Sequence, residues 1–269
     1  MKVMLFLAVL CGTCFGQHEP PQAAREEVNL GVKAYKAADY DEAIEHFQRA
    51  VLIDGDFCTA RLYLATAYAQ QYIPGVDNKD NTALANKAIE QYQQVLRLQP
   101  DSVNSLKGIA FLRMQMKQFA EAIAAYRDAL KVSPNDAELY YSIAVIDWSQ
   151  AYKNTMDQKA LLKLGSDDRL FMDGSCPQMR ARNLPLVEDG LDMMGQAMKL
   201  RKDYDDAMAY VNLLYRQRAE IECGDPAASK ADEKKADDWS DLAMQARKRK
   251  VEAIRNCASG IVIEGRCKE

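Results

Sequence analysis

The chain has few of the residues from which active sites are usually built. Only two histidines, His18 and His46, occur among its 269 residues, and no CxxC pair is present after residue 16. The sequence also lacks a GxxxxGK[ST] or GxGxxG phosphate loop and a GxSxG nucleophile elbow. Adjacent acids such as Asp167-Asp168 have no flanking motif and are ordinary on an acidic surface. These absences predict a protein that is not an enzyme and holds no metal or other cofactor.

A large excess of one charge is also missing. The formal net charge is −4, from 35 basic and 39 acidic residues, and the isoelectric point is about 5.4. An acidic balance without a basic surface disfavours nucleic acid as the main partner. Hydrophobic residues make up 48% of the chain, which is enough for a folded core and argues against wholesale disorder.

The only long apolar run lies at the N-terminus. Residues Val3–Cys11 are apolar but too few to span a bilayer as a helix, and small residues follow up to Gly16. This pattern predicts a signal peptide, 1–16, cleaved after Gly16. The mature chain is then exported, periplasmic or secreted, with no integral membrane span. A retained anchor and a lipid-modified Cys14, whose lipobox fits poorly, stay open as alternatives.

Five cysteines follow the predicted cleavage point: Cys58, Cys176, Cys223, Cys257 and Cys267. An odd number leaves at least one outside intramolecular pairs. Cys257 and Cys267 bracket a short segment that could turn back, so they are the first candidate for a disulfide. Cys176 and Cys223 are the second candidate, because both lie in interruptions of the helical pattern described below.

A 34-residue period runs through the middle of the chain. Ala88 and Ala122 are 34 residues apart, as are Pro100 and Pro134. An aromatic residue follows each alanine by four positions, and an earlier copy occupies Tyr40–Gly55. Small residues let two helices approach closely, the ring fills the remaining gap, and proline ends the second helix. The period therefore predicts repeated pairs of helices.

The first helix of each pair carries its own signature: Leu30-Gly31, Leu64-Ala65, Ile109-Ala110 and Ile143-Ala144. Together these features resemble the tetratricopeptide repeat (TPR), with its Leu-Gly, Ala-x3-Phe and Pro positions. The resemblance implies an all-α, right-handed superhelical solenoid of about five TPR-like helix-turn-helix units in an exported bacterial-type protein. We place a helical repeat domain at 17–256 and a C-terminal tail at 257–269. The units are about 24–57, 58–102, 103–136, 137–202 and 203–256.

Three units are interrupted between their two helices. The interruptions are Ile73–Asn81, the stretch between a first helix of about Ala137–Tyr152 and a second that starts after Pro185, and Glu222–Pro226. Equivalent loops of stacked repeats emerge from one edge, so we expect the insertions to cluster there. Residues 153–185 are one period long and could be a decayed repeat, but their glycines and prolines favour an insertion.

The last predicted helix ends in a basic run, Arg247–Lys250. Such a run could contact an anionic lipid or polymer. Positive residues near a helix C-terminus also suit the helix dipole, and we favour this simpler interpretation.

The resemblance implies that a concave face, lined by the first helix of each unit, binds a protein or peptide. No three consecutive units carry the Lys, Asn and Arg set with which some TPR domains hold a C-terminal carboxylate. Aromatic and apolar residues recur there at helical spacing. The candidate groove residues are Lys107, Phe111, Met114, Tyr141, Val145, Trp148, Tyr210, Leu213 and Arg216. Alternatively, residues 153–185 fold into the groove and cover these side chains.

These observations predict a scaffold for protein–protein interaction. Its partner is a protein or peptide held on the concave face, outside the cytoplasm. One alternative is a structural component of an envelope-assembly complex. A second is an enzyme that uses the insertion loops, which the scarcity of catalytic motifs disfavours.

Overall fold

A computed structural model describes residues 19–165, 168–170 and 173–258, without the side chains of 256–258. The predicted signal peptide lies outside the described residues. Within them the chain forms ten α-helices and no strand. The helices are α1 (Gln22–Lys36), α2 (Tyr40–Ile53), α3 (Cys58–Gln71), α4 (Lys79–Leu98), α5 (Val103–Gln115), α6 (Phe119–Val132), α7 (Ala137–Leu161), α8 (Cys176–Leu200), α9 (Asp205–Glu220) and α10 (Pro226–Ala258). The predicted all-α architecture of helix-turn-helix units is confirmed.

Local signals set several of the helix ends. Asp39 accepts a hydrogen bond from the backbone N–H of Glu42, and Asn78 accepts one from Asn81, so both cap the helix that follows. Ala38 and Lys117 have φ values of 62° and 61° directly after α1 and α5. This left-handed conformation reverses the chain tightly after a helix, and it produces the short turns between paired helices.

The chain divides into two compact units between Ala125 and Tyr126, within α6. In the N-terminal unit, α1 packs on α2 and α3 packs on α4. Gly31 allows a close approach: a Cβ there would stand 2.5 Å from the buried Phe47 ring. The small and aromatic positions of the repeat are therefore the two sides of one helix contact.

The C-terminal unit repeats this arrangement, with α7 packed on α8 and α9 packed on α10. Its core includes Ile143, Met194 and Leu214, all fully buried. A polar network also runs through this interior. Thr155 donates to Gln217 at 2.9 Å, and Lys159 Nζ lies 3.0 Å from Glu220 Oε1 with only 3% of the lysine side chain exposed. These partners satisfy polar groups that would otherwise be costly to bury.

The fourth unit differs from the sequence prediction. Helix α7 continues nine residues beyond Tyr152, and α8 begins at Cys176 instead of after Pro185. Pro177 lies in the first turn of α8, where its missing N–H needs no partner. Pro185 lies inside the helix and removes one backbone hydrogen bond; burial of neighbours such as Val187 offsets this loss. Most of the described residues in the interval 153–185 therefore belong to α7 or α8.

The interruptions of the fourth and fifth units meet within the C-terminal unit. A disulfide joins Cys176 to Cys223 with Cα atoms 5.6 Å apart, which confirms the second candidate pair. Leu170, from the loop before α8, packs with Ile221 and Met179 in a small hydrophobic cluster. The first candidate pair depends on the Cys257 side chain and on Cys267, which lie outside the described part of the chain. Clustering at one edge is thus observed for the two interruptions of this unit.

The basic run near the end of α10 is paired with acids at the start of α9. Arg249 Nη2 lies 2.9 Å from Asp203, and Lys250 Nζ lies 2.7 Å from Asp205, whose side chain is only 6% exposed. Arg247 contacts both Asp205 and Asp206 at 3.3 Å. These pairs explain the run by charge compensation with the acids around the start of α9, a contact that neither the lipid nor the helix-dipole interpretation included. No helix within the described residues is both long and apolar enough to cross a bilayer.

Candidate functional site

Five aromatic side chains form a continuous row in the C-terminal unit. We define the aromatic row as Tyr204, Tyr141, Tyr210, Trp148 and Tyr152, in that order of contact. Successive ring centroids are 5.1, 5.5, 5.4 and 5.3 Å apart, within the range of favourable aromatic pairs. The row therefore presents one connected aromatic surface about 20 Å long at most.

Helical spacing places most of these rings. Tyr141, Trp148 and Tyr152 lie on one side of α7, and Tyr210 reaches them from α9. The core-facing side of α7 uses other residues, such as Ile143 and Ala144, which are fully buried. The rings of Tyr141, Trp148 and Tyr210 are only partly buried, and Tyr152 is 43% exposed. Within its own unit the row is thus a partly accessible surface and not part of the closed core.

Polar contacts fix one end of the row. The Tyr204 hydroxyl donates to Glu138 Oε2 at 2.8 Å, and Arg201 lies 2.8 Å from Glu138 Oε1. The Arg201 guanidinium also stacks over the Tyr204 ring at 4.1 Å. Burial raises the pKa of the Tyr204 hydroxyl, and the bond to Glu138 raises it further. At this end of the row the Tyr204 ring is therefore held by two partners, and the charges of Glu138 and Arg201 compensate each other.

The hydroxyls in the middle of the row remain protonated. Burial raises the pKa of Tyr141, with the nearby Tyr210 and Asp206 adding to the shift. Burial also raises the pKa of Tyr210. At physiological pH these phenols are neutral hydrogen-bond donors beside aromatic faces. Such a surface suits a ligand that combines apolar groups with hydrogen-bond acceptors.

The groove residues predicted from sequence fall into three sets. Tyr141, Trp148 and Tyr210 are brought into contact as described. Val145 and Leu213 are partly buried on the same two helices, whereas Arg216 is exposed and pairs with Asp237 of α10 at 2.8 Å. The remaining residues lie on α5 of the N-terminal unit and are partly buried: Lys107, Phe111 and Met114. Partner binding by all nine stays a prediction.

Two members of the row were missed from the sequence. Tyr152 follows Trp148 by four residues on the same side of the helix, but the sequence pattern predicts that the helix ends there. Tyr204 directly precedes α9 and is 3% exposed, so it joins the row from a turn. Tyr152 could have been found by continuing the helical spacing of Tyr141 and Trp148. The position of Tyr204 follows only from the geometry of the turn.

The described part of the insertion lies away from the row. The backbone N–H of Leu170 donates to Glu220 Oε2 at 3.2 Å, and Arg169 pairs with Glu233 on α10. Glu220 is ten residues beyond Tyr210 on α9, which corresponds to about 15 Å along the helix. The described loop residues therefore contact the far end of α9 and not the rings.

The other chemically notable groups are held by local partners. His46 Nδ1 lies 2.7 Å from Glu27 Oε2, and this hydrogen bond holds the pKa of Glu27 below its usual value. Among the described residues, no three His, Cys, Asp or Glu side chains are grouped as a metal site requires. The geometry of His46 is that of a packing residue with a satisfied ring nitrogen.

Comparison with known proteins supports the same architecture. Residues 112–150 match the family model described as a TPR repeat. No curated protein sequence matches the chain significantly.

Solved structures of low sequence identity share the fold. A crystal structure of MamA superposes with a TM-score of 0.59 at 14% identity, covering 86% of this chain and 94% of that one. MamA 41-end from Desulfovibrio magneticus RS-1 gives 0.58 at 13% identity, over 86% and 98%. YrrB, described as a TPR protein with an unusual peptide-binding site, gives 0.52 at 13% identity, over 84% and 92%. The chain therefore has a TPR-like fold, with a TPR repeat matched at its centre.

Proposed function

We propose that the chain is an interaction scaffold that holds an extended peptide or protein segment on the aromatic row. The continuity of the five rings, four of which are partly or fully accessible, is the observation that carries this proposal. Tyr and Trp side chains contribute most of the binding energy at many protein interfaces because they bury a large rigid area. The length of the row suits about six extended residues. The peptide-binding site attributed to YrrB, which shares the fold, is consistent with this assignment.

The compartment is part of the same proposal. Disulfides persist in oxidising environments and are rare in reducing ones, so the Cys176–Cys223 bond supports a location outside the cytoplasm. The N-terminal signal pattern with cleavage after Gly16 supports export to the periplasm or beyond. N-terminal sequencing of the secreted protein should find Gln17 first. Retention of Met1, or a lipid on Cys14, would contradict the assigned cleavage.

Peptide selection tests the binding surface directly. A displayed random-peptide library is selected on the oxidised full chain, and affinities of the selected peptides are measured for native protein and for Trp148→Ala. We expect the substitution to weaken binding about 30-fold, the loss expected when an anchoring ring worth about 2 kcal/mol is removed. Tyr215→Ala, on α9 but outside the row, is the matched control and should leave the affinity unchanged.

A spectroscopic readout separates binding from folding. The chain has two tryptophans, so in Trp239→Phe the emission comes from Trp148 alone. A peptide bound on the row should shift that emission with the same midpoint as the binding isotherm. The proposal fails if selected peptides bind Trp148→Ala with native affinity. It also fails if Trp148→Ala unfolds the C-terminal unit, because the ring would then be a core residue.

A further inference from the structure

The two sulfur atoms of the disulfide are not equivalent. Cys176 is fully buried and is the first residue of α8, a helix of 25 residues. Cys223 lies in the loop between α9 and α10, is partly exposed, and lines a surface hollow of about 340 Å³. A nucleophile that approaches from outside therefore reaches Cys223 and not Cys176.

The hollow beside Cys223 is mostly apolar, and its one cation is paired with Glu222. Its wall is α8, where Pro177, Ala181 and Pro185 are exposed at four-residue spacing and Leu184 adds a further apolar side chain. Arg180 also lines it, and its Nη1 donates to the Ile221 carbonyl at 2.9 Å and to Glu222 at 2.8 Å. An apolar segment fits this surface, and a thiol carried by that segment would lie beside Cys223.

We propose that the Cys176–Cys223 bond is a thiol–disulfide exchange site in which Cys223 is the sulfur attacked. The partner is a dithiol protein whose reactive thiol lies within an apolar segment that docks in the hollow. This inference does not depend on the aromatic row, which lies on another part of the unit.

The proposed exchange takes place in two nucleophilic steps. The partner thiolate attacks Cys223 Sγ and forms a mixed disulfide, while the bond to Cys176 breaks and its electron pair leaves on Cys176 Sγ. The second partner thiol, as its thiolate, then attacks the partner sulfur of the mixed disulfide and releases Cys223 as a thiolate. The partner is oxidised to a disulfide, and the two cysteines of this chain are reduced and take up protons. The reverse sequence forms the bond.

The position of Cys176 favours its role as the leaving sulfur. The N-terminal end of a helix carries a partial positive charge, which stabilises a thiolate formed there. A more stable leaving thiolate departs faster in thiol–disulfide exchange. Burial of Cys176 therefore directs attack to Cys223 but also disfavours the Cys176 thiolate, and the position of Cys176 at the helix start offsets that cost.

Contacts around the bond can hold the loops in place while it opens. The Lys159–Glu220 ion pair and the Arg180 bonds to Ile221 and Glu222 join the same segments without involving sulfur. Exchange in the folded chain therefore does not require the C-terminal unit to unfold. This distinguishes an exchange site from a disulfide that is only structural.

The first experiment identifies the attacked sulfur. The oxidised full chain is treated with reduced glutathione and quenched with acid. It is then alkylated with N-ethylmaleimide in denaturant, so that the buried Cys176 is reached, and mapped by peptide mass spectrometry. We expect glutathione on Cys223 and maleimide on Cys176, with an excess of at least about tenfold over the opposite pattern. Equal or reversed labelling would overturn the proposal. So would an exchange rate that rises steeply in urea below the unfolding transition, because the bond would then open only on unfolding.

The second experiment tests the hollow. The probes are a synthetic Cys-x-x-Cys peptide flanked by tryptophan and the same peptide with serine in place of tryptophan. The tryptophan peptide should reduce the bond faster. Ala181→Glu should slow it roughly fivefold at low ionic strength, because a carboxylate then faces the incoming thiolate. Gln178→Glu adds the same charge to an exposed position one turn away and should have little effect. Equal rates for both peptides, or equal effects of both variants, would contradict docking in the hollow.

Discussion

The carboxyl group of Asp147 interacts with that of Asp189 in the C-terminal unit, although both are acids. Asp147 is 2% exposed, and among the described residues its Oδ2 has no hydrogen-bond partner. Asp189 is also bound by Arg127 at 2.6 Å. Burial and the proximity of Asp189 raise the pKa of Asp147 to about 8. Asp147 therefore keeps its proton at neutral pH, and Arg127 pairs with Asp189.

This pair predicts a pH-dependent stability. The folded pKa of Asp147 lies above its ordinary value of 3.8, so its contribution is complete below about pH 4 and is lost as the pH rises through 8. The side chain introduced by Asp147→Asn cannot ionise. The free energy of unfolding of this variant should therefore rise relative to that of the native chain as the pH increases from 5 to 8. Urea titrations at several pH values measure this difference.

The exposed Asp192 on α8 provides a matched control for that measurement. Asp192→Asn removes a carboxyl group from the same helix as Asp189 but should follow the native pH profile. If Asp147→Asn also follows the native profile, the buried acid does not carry the proton that we assign to it.

Two glycines should respond to alanine in opposite ways. At Gly31 a Cβ would stand 2.5 Å from the Phe47 ring, so Gly31→Ala should destabilise the N-terminal unit by about 1–3 kcal/mol. At Gly195, inside α8, a Cβ has no neighbour within 4 Å. Gly195→Ala should stabilise the chain by about 0.5–1 kcal/mol because alanine loses less backbone entropy in a helix. Thermal unfolding of both variants gives the comparison, and a loss at both positions would count against the packing described.

The disulfide should stabilise the C-terminal unit. Its cysteines are 47 residues apart, and closing such a loop in the unfolded chain is worth at most about 4 kcal/mol. A reductant should therefore lower the melting temperature of the native chain. The double variant Cys176→Ser/Cys223→Ser should melt at that lower temperature with or without reductant. A native chain whose melting is insensitive to complete reduction would show that the bond contributes nothing to stability.

The acids before and at the start of α9 should keep the basic end of α10 from binding anionic membranes. Asp203, Asp205 and Asp206 pair with Arg247, Arg249 and Lys250. We expect weak sedimentation with phosphatidylserine vesicles, increased when Asp203 and Asp206 are changed to Asn. Exposed Asp241→Asn, elsewhere on α10, is the charge control. Strong binding by the native chain would favour the lipid interpretation of the basic run instead.

The helix pairs could be predicted because their contacts repeat. A small residue facing a ring, as with Gly31 and Phe47, recurs at a fixed interval. This repetition predicts where the helices lie and which helix packs on which. Sequence reasoning also placed Trp148 and Tyr141 on one side of α7. Their contact with Tyr210 could not be predicted, because it depends on how far α9 is displaced along α7.

The predicted end of α7, near Tyr152, was wrong for a physical reason. Beyond Tyr152 this helix buries Asn154, Thr155 and Lys159, which are polar. Asn154 donates to the buried Asn183, and the other two bond to α9. A helix buried through hydrogen bonds lacks the apolar periodicity by which buried helices are recognised, so a loop was predicted there.

The Cys176–Cys223 bond also determines how the chain would respond to tension. When the two chain ends are pulled apart, force passes from Cys176, at the start of α8, through the sulfur atoms to Cys223, in the loop before α10. The rest of α8 and the whole of α9 then carry no load. The segment between the cysteines, which are 47 positions apart, cannot extend until the bond is reduced, so roughly 160 Å of contour length is unavailable. Reduction under load would release that length as a discrete step.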